Sequence, residues 1–276
     1  MNKEGAKNNI NSINERQKSK KGQVTIFIII AIVIIGVAIL FFFLIPGTKV
    51  TTGFDEQNPS AFIQTCIEDK ISGAVETVSL QGGSIEPINS ILYQNSKVEY
   101  LCYTTEYYVP CIVQQPLLQQ HIEEEIENEI KADVVSCFNS LKESYQGKNY
   151  DVSMTLGETV VELLPKRIVT KFNYVLTVSK GETKRYDSFN VILNNNLYEL
   201  TSIANSIIEW EATYGDAETT TYMTYYPDLK VEKKNQDEGS TVYILTDRNT
   251  GKKFQFASRS VVWPSGFGSV PVFGSA

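Results

Sequence analysis

Four cysteines are the residues of this sequence best suited to covalent chemistry, namely Cys66, Cys102, Cys111 and Cys137. An even number of cysteines outside the cytoplasm is typical of disulfides, and four cysteines allow three pairings. Their spacing matches neither a paired C-x-x-C zinc site nor a redox motif. Two disulfides are therefore expected, and four buried free thiols are the alternative that the spacing leaves open.

The other side chains give little indication of catalysis. His121 is the only histidine, which excludes an H-E-x-x-H zinc site and weakens any Ser-His-Asp or Cys-His arrangement. The sequence has no G-x-S-x-G elbow, no G-x-x-x-x-G-K-[ST] loop and no G-x-G-x-x-G. With 32 acidic residues, paired carboxylates arise from composition alone and do not indicate a glycosidase. We expect no catalytic, cofactor-binding or metal-binding residue, and no enzymatic activity.

Two amphipathic helices should position the cysteines. Asn58 and Pro59 are an N-cap and a first helical residue, and Gly82-Gly83 is a C-terminal stop, so a helix is predicted over 59–80. A second apolar ridge predicts a helix from about 116 to 145. Its opposite face carries the acidic run "EEEIENE", which we interpret as solvated rather than as a cation site.

The two helices also select one cysteine pairing. If they pack antiparallel, Cys66 near the start of the first helix lies level with Cys137 near the end of the second. Cys102 and Cys111 are close in sequence and would close a small hairpin-like loop. The predicted disulfides are therefore Cys66–Cys137 and Cys102–Cys111.

The N-terminus differs from the rest of the chain in charge and hydropathy. The first 22 residues carry six Lys/Arg and two Glu, a net of +4, so the remainder sums to −11 against a total of −7. That acidic balance argues against a nucleic-acid partner. The uncharged run from Val24 to Ile45 would extend roughly 33 Å as a helix, close to bilayer thickness. It predicts a single transmembrane helix in the cell membrane with the lipid bilayer as a partner, the N-terminus cytoplasmic and the C-terminal domain extracytoplasmic.

The junction "KKG" followed by "QVTIFIII" resembles the class III signal peptides of archaeal type IV pilins and archaellins. The resemblance covers only this N-terminal segment. It implies cleavage at Lys21-Gly22-Gln23, before Gln23, with a prepilin-type peptidase and identical or related subunits as partners. Phe27 stands where many pilins carry Glu, and Pro46-Gly47 should stop the helix that in many pilins continues into the head. A permanent uncleaved anchor is the alternative. A secretory signal fits less well, because its apolar region usually spans about 7–15 residues.

Beyond the helical pair, the chain becomes mainly β. From Tyr150 onward the period of two is typical of strands, with a turn at 179–182, a third helix roughly over 196–214 and a hairpin around "DRNTG". The predicted fold class is α+β: an N-terminal single transmembrane helix followed by an extracytoplasmic domain with a helical pair and an antiparallel β-sheet. The predicted segments are a basic cytoplasmic head or leader (1–22), a transmembrane helix (23–46), a linker (47–58), a disulfide-tied helical lobe with short strands (59–148), a mainly antiparallel β lobe with one helix (149–260) and a flexible tail (261–276).

Tyrosine is the residue type that favours recognition. Two clusters stand out among the 15 tyrosines: Tyr100, Tyr103, Tyr107 and Tyr108, and Tyr214, Tyr222, Tyr225 and Tyr226. Exposed tyrosines suit binding surfaces, although half-buried strand positions would explain the same composition. The expected function is that of a membrane-anchored cell-surface protein, a pilin-like structural or adhesive subunit without catalytic activity. The alternative is a permanently anchored envelope binding or adhesion protein that is never processed or assembled into filaments.

Overall fold

The computed structural model describes residues 55–264, together with Ile34 and Ile35. Between residues 55 and 264 the helices are α1 (Pro59–Leu80), α2 (Leu118–Gln146), α3 (Leu197–Tyr214) and α4 (Thr219–Tyr225). The strands are β1 (Ser90–Tyr93), β2 (Ser96–Tyr103), β3 (Ile112–Val113), β4 (Asp151–Thr155), β5 (Thr159–Leu164), β6 (Arg167–Phe172), β7 (Val175–Lys180), β8 (Glu182–Tyr186), β9 (Phe189–Asn194), β10 (Leu229–Asn235), β11 (Thr241–Asp247) and β12 (Lys253–Arg259).

The predicted fold class is wrong in its transmembrane helix. Among the residues that the structure describes, no helix is long and apolar enough to cross a membrane. The longer helices there are amphipathic, since each buries one face in the domain core and exposes the other. Apart from Ile34 and Ile35, residues 23–46 lie outside the described residues, as does the predicted head 1–22. The described domain is α+β, with a helical pair and three sheets.

Helices α1 and α2 run antiparallel and side by side. The side chain of Asn58 caps α1 by accepting a hydrogen bond from the backbone N–H of Ala61 at 3.2 Å. Four residues beyond Cys66 in α1, Lys70 forms an ion pair with Asp133, which lies four residues before Cys137 in α2 (Nζ–Oδ1 3.2 Å). Contacting residues therefore have increasing numbers in α1 and decreasing numbers in α2, as in the antiparallel arrangement that the sequence predicts.

Both disulfides join the predicted partners. Cys66 and Cys137 link the two helices with their Cα atoms 5.9 Å apart. Cys102, near the end of β2, and Cys111, just before β3, are linked with a Cα separation of 5.3 Å. The second bridge closes a loop that contains Tyr107 and Tyr108. All four cysteines lie among the described residues, and none of them is free, because each belongs to one of the two disulfides.

The strands form one large and two small sheets. The large sheet has the order β1-β2-β12-β11-β10, with β3 also paired to β2, and the small ones are β4-β7-β8 and β5-β6-β9. The predicted hairpin around "DRNTG" is β11 and β12. One pairing departs from the expected antiparallel pattern: β2 and β12 are parallel. A parallel pair needs a long crossover, and the whole chain from β3 to β11 lies between these two strands.

One principal core joins the helices to the sheets. The inward ridge of α2, with members such as Ile122, Ile126, Ile130 and Phe138, is almost completely buried. It packs with the inner faces of α1 and α3 and with residues of all three sheets. A smaller cluster that includes Val242 and Ile244 lies on the other face of the large sheet, since Tyr243 and Leu245 alternate with them into the principal core.

The acidic face of α2 accepts hydrogen bonds from backbone N–H groups of neighbouring segments. The backbone N–H groups of Val161 and Leu163 on edge strand β5 donate to Glu127 Oε1 and Glu123 Oε1, each at 2.7 Å. Four helical residues span about 6 Å and two strand residues about 6.6 Å, so the two spacings match. Glu125 Oε2 similarly accepts from the backbone N–H of Ile85 at 2.7 Å. The interpretation of a purely solvated face is therefore wrong for these three glutamates. Glu123 and Glu127 provide acceptors that a neighbouring strand would otherwise supply to β5, and Glu125 provides one to the loop before β1.

The two disulfides should differ in their contribution to stability. Replacing Cys66 and Cys137 by Ala opens a 71-residue separation, whereas replacing Cys102 and Cys111 opens a separation of 9. By loop-closure entropy, the first pair of substitutions should lower the free energy of unfolding by about 4 kcal/mol and the second by about 2.5 kcal/mol. Urea unfolding of the two double variants measures both values. A larger loss for the Cys102/Cys111 variant would contradict this account.

Glu123 should stabilise the fold through the β5 backbone. Glu123→Ala leaves the Leu163 N–H without its acceptor, so we expect a loss of about 1–3 kcal/mol in the free energy of unfolding. Glu129→Ala removes an exposed carboxylate from the same helix and should change stability by less than about 0.5 kcal/mol. Equal effects of the two substitutions in chemical unfolding would show that the bond to β5 contributes nothing.

Candidate functional site

A cavity of about 750 Å³ lies at one end of the large sheet. Four parts of the chain line it: the loop after β2, the C-terminal end of α3, the turn between β10 and β11, and the segment that follows β12. They are far apart in sequence and meet because β2 and β12 are neighbours in the sheet. Concave sites of this size are typical of ligand binding, which makes this cavity the candidate site.

Three exposed aromatic side chains border the cavity. Tyr107, Tyr214 and Trp263 are 48%, 66% and 59% exposed. Each is held by a neighbour. The rings of Tyr108 and Trp263 pack in a T-shaped arrangement with their centroids 5.0 Å apart, and the ring centroids of Trp210 and Tyr214 are 4.7 Å apart. The guanidinium of Arg259 lies 5.6 Å from the centre of the Tyr107 ring. The rings are therefore both accessible and positioned before any ligand arrives.

Backbone hydrogen bonds fix the two segments that carry Tyr107 and Trp263. The N–H of Tyr108 donates to the carbonyl of Val262 at 3.0 Å, and the N–H of Val261 donates to the carbonyl of Val109 at 2.9 Å. Arg259 adds a bond from Nη1 to the carbonyl of Thr104 at 2.5 Å. The Cys102–Cys111 bridge holds the base of the same loop. This loop is consequently tied down along its whole length.

Two glycines allow the close approach of the other lining segments. Gly215 ends α3 with φ +83° and Gly239 lies in the β10–β11 turn with φ +89°. Both values are in the left-handed region that favours glycine. A Cβ at Gly215 would collide with Val261, and one at Gly239 would collide with Val262. Both positions thus need glycine for conformation and for space.

Glu211 forms the floor of the cavity and is only 3% exposed. Its Oε1 accepts hydrogen bonds from the hydroxyl of Tyr243 and from the backbone N–H of Ala217, the latter at 2.9 Å. Its Oε2 accepts from Ser258 Oγ at 2.9 Å. A buried carboxylate needs such donors, and here they come from the helix end and from two sheet strands. The carboxylate therefore joins α3 to the sheet and has both oxygens engaged.

The pKa values of Tyr243 and Lys233 are shifted by the burial of these two side chains and by the nearby Glu211 charge. Burial raises the pKa of the Tyr243 hydroxyl above its ordinary value, and the nearby Glu211 charge raises that pKa further. Tyr243 therefore stays neutral and keeps donating. Burial lowers the pKa of the Lys233 ammonium, an effect that the Glu211 charge opposes. Lys233 forms an ion pair with Asp216 at the side of the cavity.

A second polar cluster lies away from the cavity and includes the single histidine. Ser84 Oγ donates to Glu99 and lies 2.8 Å from His121 Nε2. Burial raises the pKa of the Glu99 carboxyl. In a serine-hydrolase triad the imidazole lies between the hydroxyl and the acid, whereas here the hydroxyl lies between the other two. The cluster links the α1–β1 loop to β2 and α2, and His121 in it is half-buried and hydrogen-bonded.

The structure describes the four predicted disulfide cysteines but not the predicted cleavage residues. The cleavage residues Lys21, Gly22 and Gln23 lie outside the described residues. Within residues 55–264, no three His, Cys, Asp or Glu side chains lie close enough together to hold a metal ion.

The two tyrosine clusters meet at the cavity, through Tyr107 from one and Tyr214 from the other. Sequence reasoning missed Trp263, which lies in the predicted flexible tail, although Val262 beside it is buried. It also missed Glu211. This residue could have been found because it is acidic and lies on the apolar stripe of the third helix, three residues after buried Ile208.

The chain matches no protein-family model, no curated protein and no solved structure. The geometry of the site is therefore the basis of the functional argument.

Glu211 should be essential to the shape of the floor. Glu211→Ala removes the acceptor of Tyr243, Ser258 and the Ala217 N–H, so we expect the free energy of unfolding to fall by about 3 kcal/mol. Glu209→Ala, at an exposed position of the same helix, should have an effect below about 0.5 kcal/mol. Thermal and urea unfolding of both variants tests this. A Glu211 variant as stable as the Glu209 variant would show that these hydrogen bonds contribute no net stability.

Proposed function

We propose that this chain is a cell-surface recognition subunit, pilin-like and adhesive, which binds its ligand at the aromatic cavity and catalyses no reaction. The observation that carries the proposal is the border of Tyr107, Tyr214 and Trp263 around a preformed cavity. Exposed aromatic rings held in place are typical of binding sites, because they offer a large contact area without loss of side-chain freedom. The buried carboxylate below them, Glu211, has its acceptor capacity engaged by donors of the chain itself.

The disulfides support a location outside the cytoplasm. Both bridges are structural: one ties the helical pair together and the other closes the loop that carries Tyr107. Disulfides of this kind persist in oxidising compartments and are rare in the reducing cytosol. The acidic balance of the chain, −7 overall, argues against a nucleic-acid partner in this proposal.

The pilin-like part of the proposal rests on the N-terminal sequence. The step from Lys21-Gly22 to Gln23 resembles the site that a prepilin-type peptidase cuts, and the apolar run after it would then be the segment that packs with identical or related subunits. Removal of the basic residues before Gln23 makes such packing favourable, because charges are costly to bury in an apolar filament core.

A second candidate is an envelope binding or adhesion protein that is neither processed nor assembled. The start of α1 favours it: Asn58 caps the helix and Pro59 is its first residue, so α1 begins as an independent element. In many pilins the first helix continues unbroken into the head. The two candidates share the cavity and differ in the fate of the N-terminus.

Processing should leave Gln23 as the first residue of the native protein. N-terminal sequencing and intact-mass measurement of protein recovered from sheared surface filaments test this directly. Gly22→Ala keeps the small residue that the leader pattern allows and should still be cut, whereas Gly22→Phe should accumulate with its leader. Because a filament subunit lies outside the cell, protease added to intact cells should also reach it.

Retention of Met1 on the surface-exposed protein would overturn the pilin-like proposal and favour the unprocessed envelope protein. Protection of the domain from protease in intact cells, with cleavage only after lysis, would contradict both candidates.

A further inference from the structure

We propose that the aromatic cavity binds a neutral oligosaccharide. This inference rests on the proposed recognition function and names the ligand class of the same site. It follows from three properties of the cavity: flat apolar rings at its edge, hydrogen-bonding groups of both kinds in its lining, and charges of both signs that disfavour a charged ligand.

The aromatic border fits the faces of sugar rings. One face of many pyranose rings exposes C–H groups and is apolar, while the hydroxyl groups point outward around the ring. Such a face loses water favourably when it stacks on a flat aromatic side chain, and the polar tips of Tyr and Trp stay accessible for hydrogen bonds. Tyr107, Tyr214 and Trp263 offer three such surfaces around one cavity. Other exposed tyrosines, such as Tyr225 at 76% exposure, do not line it.

The polar lining suits a ligand that both donates and accepts hydrogen bonds. Asp237 and Glu238 provide acceptors, and Asn235 and Gln236 provide amides. Asn235 Oδ1 also accepts from Thr241, and Gln236 Nε2 also donates to the carbonyl of Lys234, so each amide keeps its other groups for a ligand. These side chains come from the β10–β11 hairpin. A hydroxyl group is itself a donor and an acceptor, so a polyol can satisfy carboxylates and amides together.

The charges argue against an ionic ligand. Four carboxylates lie in the lining. Glu211 is engaged by hydrogen bonds and Asp216 is paired with Lys233, so Asp237 and Glu238 remain, and they would repel a phosphate or another anion. The cation-binding face of Tyr107 already has the guanidinium of Arg259 at 5.6 Å, and that positive charge opposes a lysine or ammonium group. The two remaining carboxylates against one guanidinium leave a net charge of −1. An uncharged ligand avoids repulsion both from the carboxylates and from the guanidinium.

The size of the cavity favours more than a single sugar. At about 750 Å³ it falls in the upper part of the range of roughly 300–1,000 Å³ that is common for ligand sites. Because Tyr214 and Trp263 come from different segments of the lining, a chain of linked rings can contact more than one aromatic surface. We therefore infer an oligosaccharide rather than a monosaccharide.

An array of immobilised neutral oligosaccharides, probed with the purified full-length chain, tests the ligand class. Hexalysine and inorganic phosphate are the charged comparison probes. We expect binding to one or more neutral oligosaccharides and none to either charged probe. Calorimetric titration with the best neutral oligosaccharide then gives a Kd for the variants.

Trp263→Ala and Tyr214→Ala should each weaken binding by about tenfold, because each removes one stacking surface. Trp263→Phe keeps a flat ring and should retain most of the affinity. Tyr225→Ala is the matched control and should leave the Kd unchanged, since Tyr225 is exposed but is not among the lining residues. Unfolding midpoints equal to that of the parent chain would establish that each variant is folded, as expected for substitutions at exposed positions.

Binding of hexalysine or phosphate without oligosaccharide binding would overturn the ligand class, and so would the absence of binding to every neutral oligosaccharide. An equal loss in Tyr225→Ala and Tyr214→Ala would overturn the location. These failures are separable from failure of the proposed function. A surface protein that begins at Gln23 but binds no sugar would refute this inference alone, whereas a sugar-binding protein confined to the cytoplasm would refute the surface role alone.

Discussion

Helix α2 is the element against which most of the domain is built, and hydrogen-bond satisfaction constrains it as strongly as hydrophobic burial does. Its apolar ridge fills the principal core, while Glu123 and Glu127 on its flank accept the N–H groups of edge strand β5. Gln119 at its N-terminal end also donates to the carbonyl of Tyr198 in α3 at 3.2 Å. Because unpaired strand edges invite further pairing, a helix that covers such an edge also protects the monomer from aggregation. The position of α3, and with it the cavity, follows from this packing.

The cavity is rigid because its floor and its border are tied to different parts of the chain. Glu211 joins the end of α3 to the sheet, and the bonds between residues 104–109 and 259–262 hold the aromatic loop to the segment after β12. Gly215 and Gly239 permit the close contacts with Val261 and Val262 that complete this arrangement. A site held in place in this way loses little conformational entropy when a ligand binds. The same contact area then gives a higher affinity than it would in a flexible site.

Local sequence patterns predict the parts of this structure that depend on neighbouring residues. The caps at Asn58 and Gly82-Gly83 bound α1 correctly, and the apolar periodicity locates α2 and α3 within about two residues. The Cys66–Cys137 pair follows from the same helical geometry, and the Cys102–Cys111 pair follows from closeness in sequence. The transmembrane helix is the expectation that the described fold does not bear out.

Long-range relations are what the sequence does not reveal. The parallel pairing of β2 with β12 joins segments about 155 residues apart, as the bond from Arg259 to Thr104 illustrates. Likewise, nothing local indicates that "EEEIENE" faces the edge of a strand, since the matching spacing exists only once β5 lies beside α2. The tyrosine clusters are visible in the sequence, but the point where Tyr107 and Tyr214 come together depends on that parallel pair. Trp263 and Glu211 enter the site through the same topology.

The loop between Cys102 and Cys111 has a consequence for how such a surface can diversify. Both ends of the loop are clamped, by the disulfide and by the pairing of β2 with β3, so the register of the sheet does not depend on the residues between them. Side chains around Tyr107 can then change while the strand pairing beneath the loop is kept. The loop can therefore vary in the chemistry of its side chains without altering the fold that carries it.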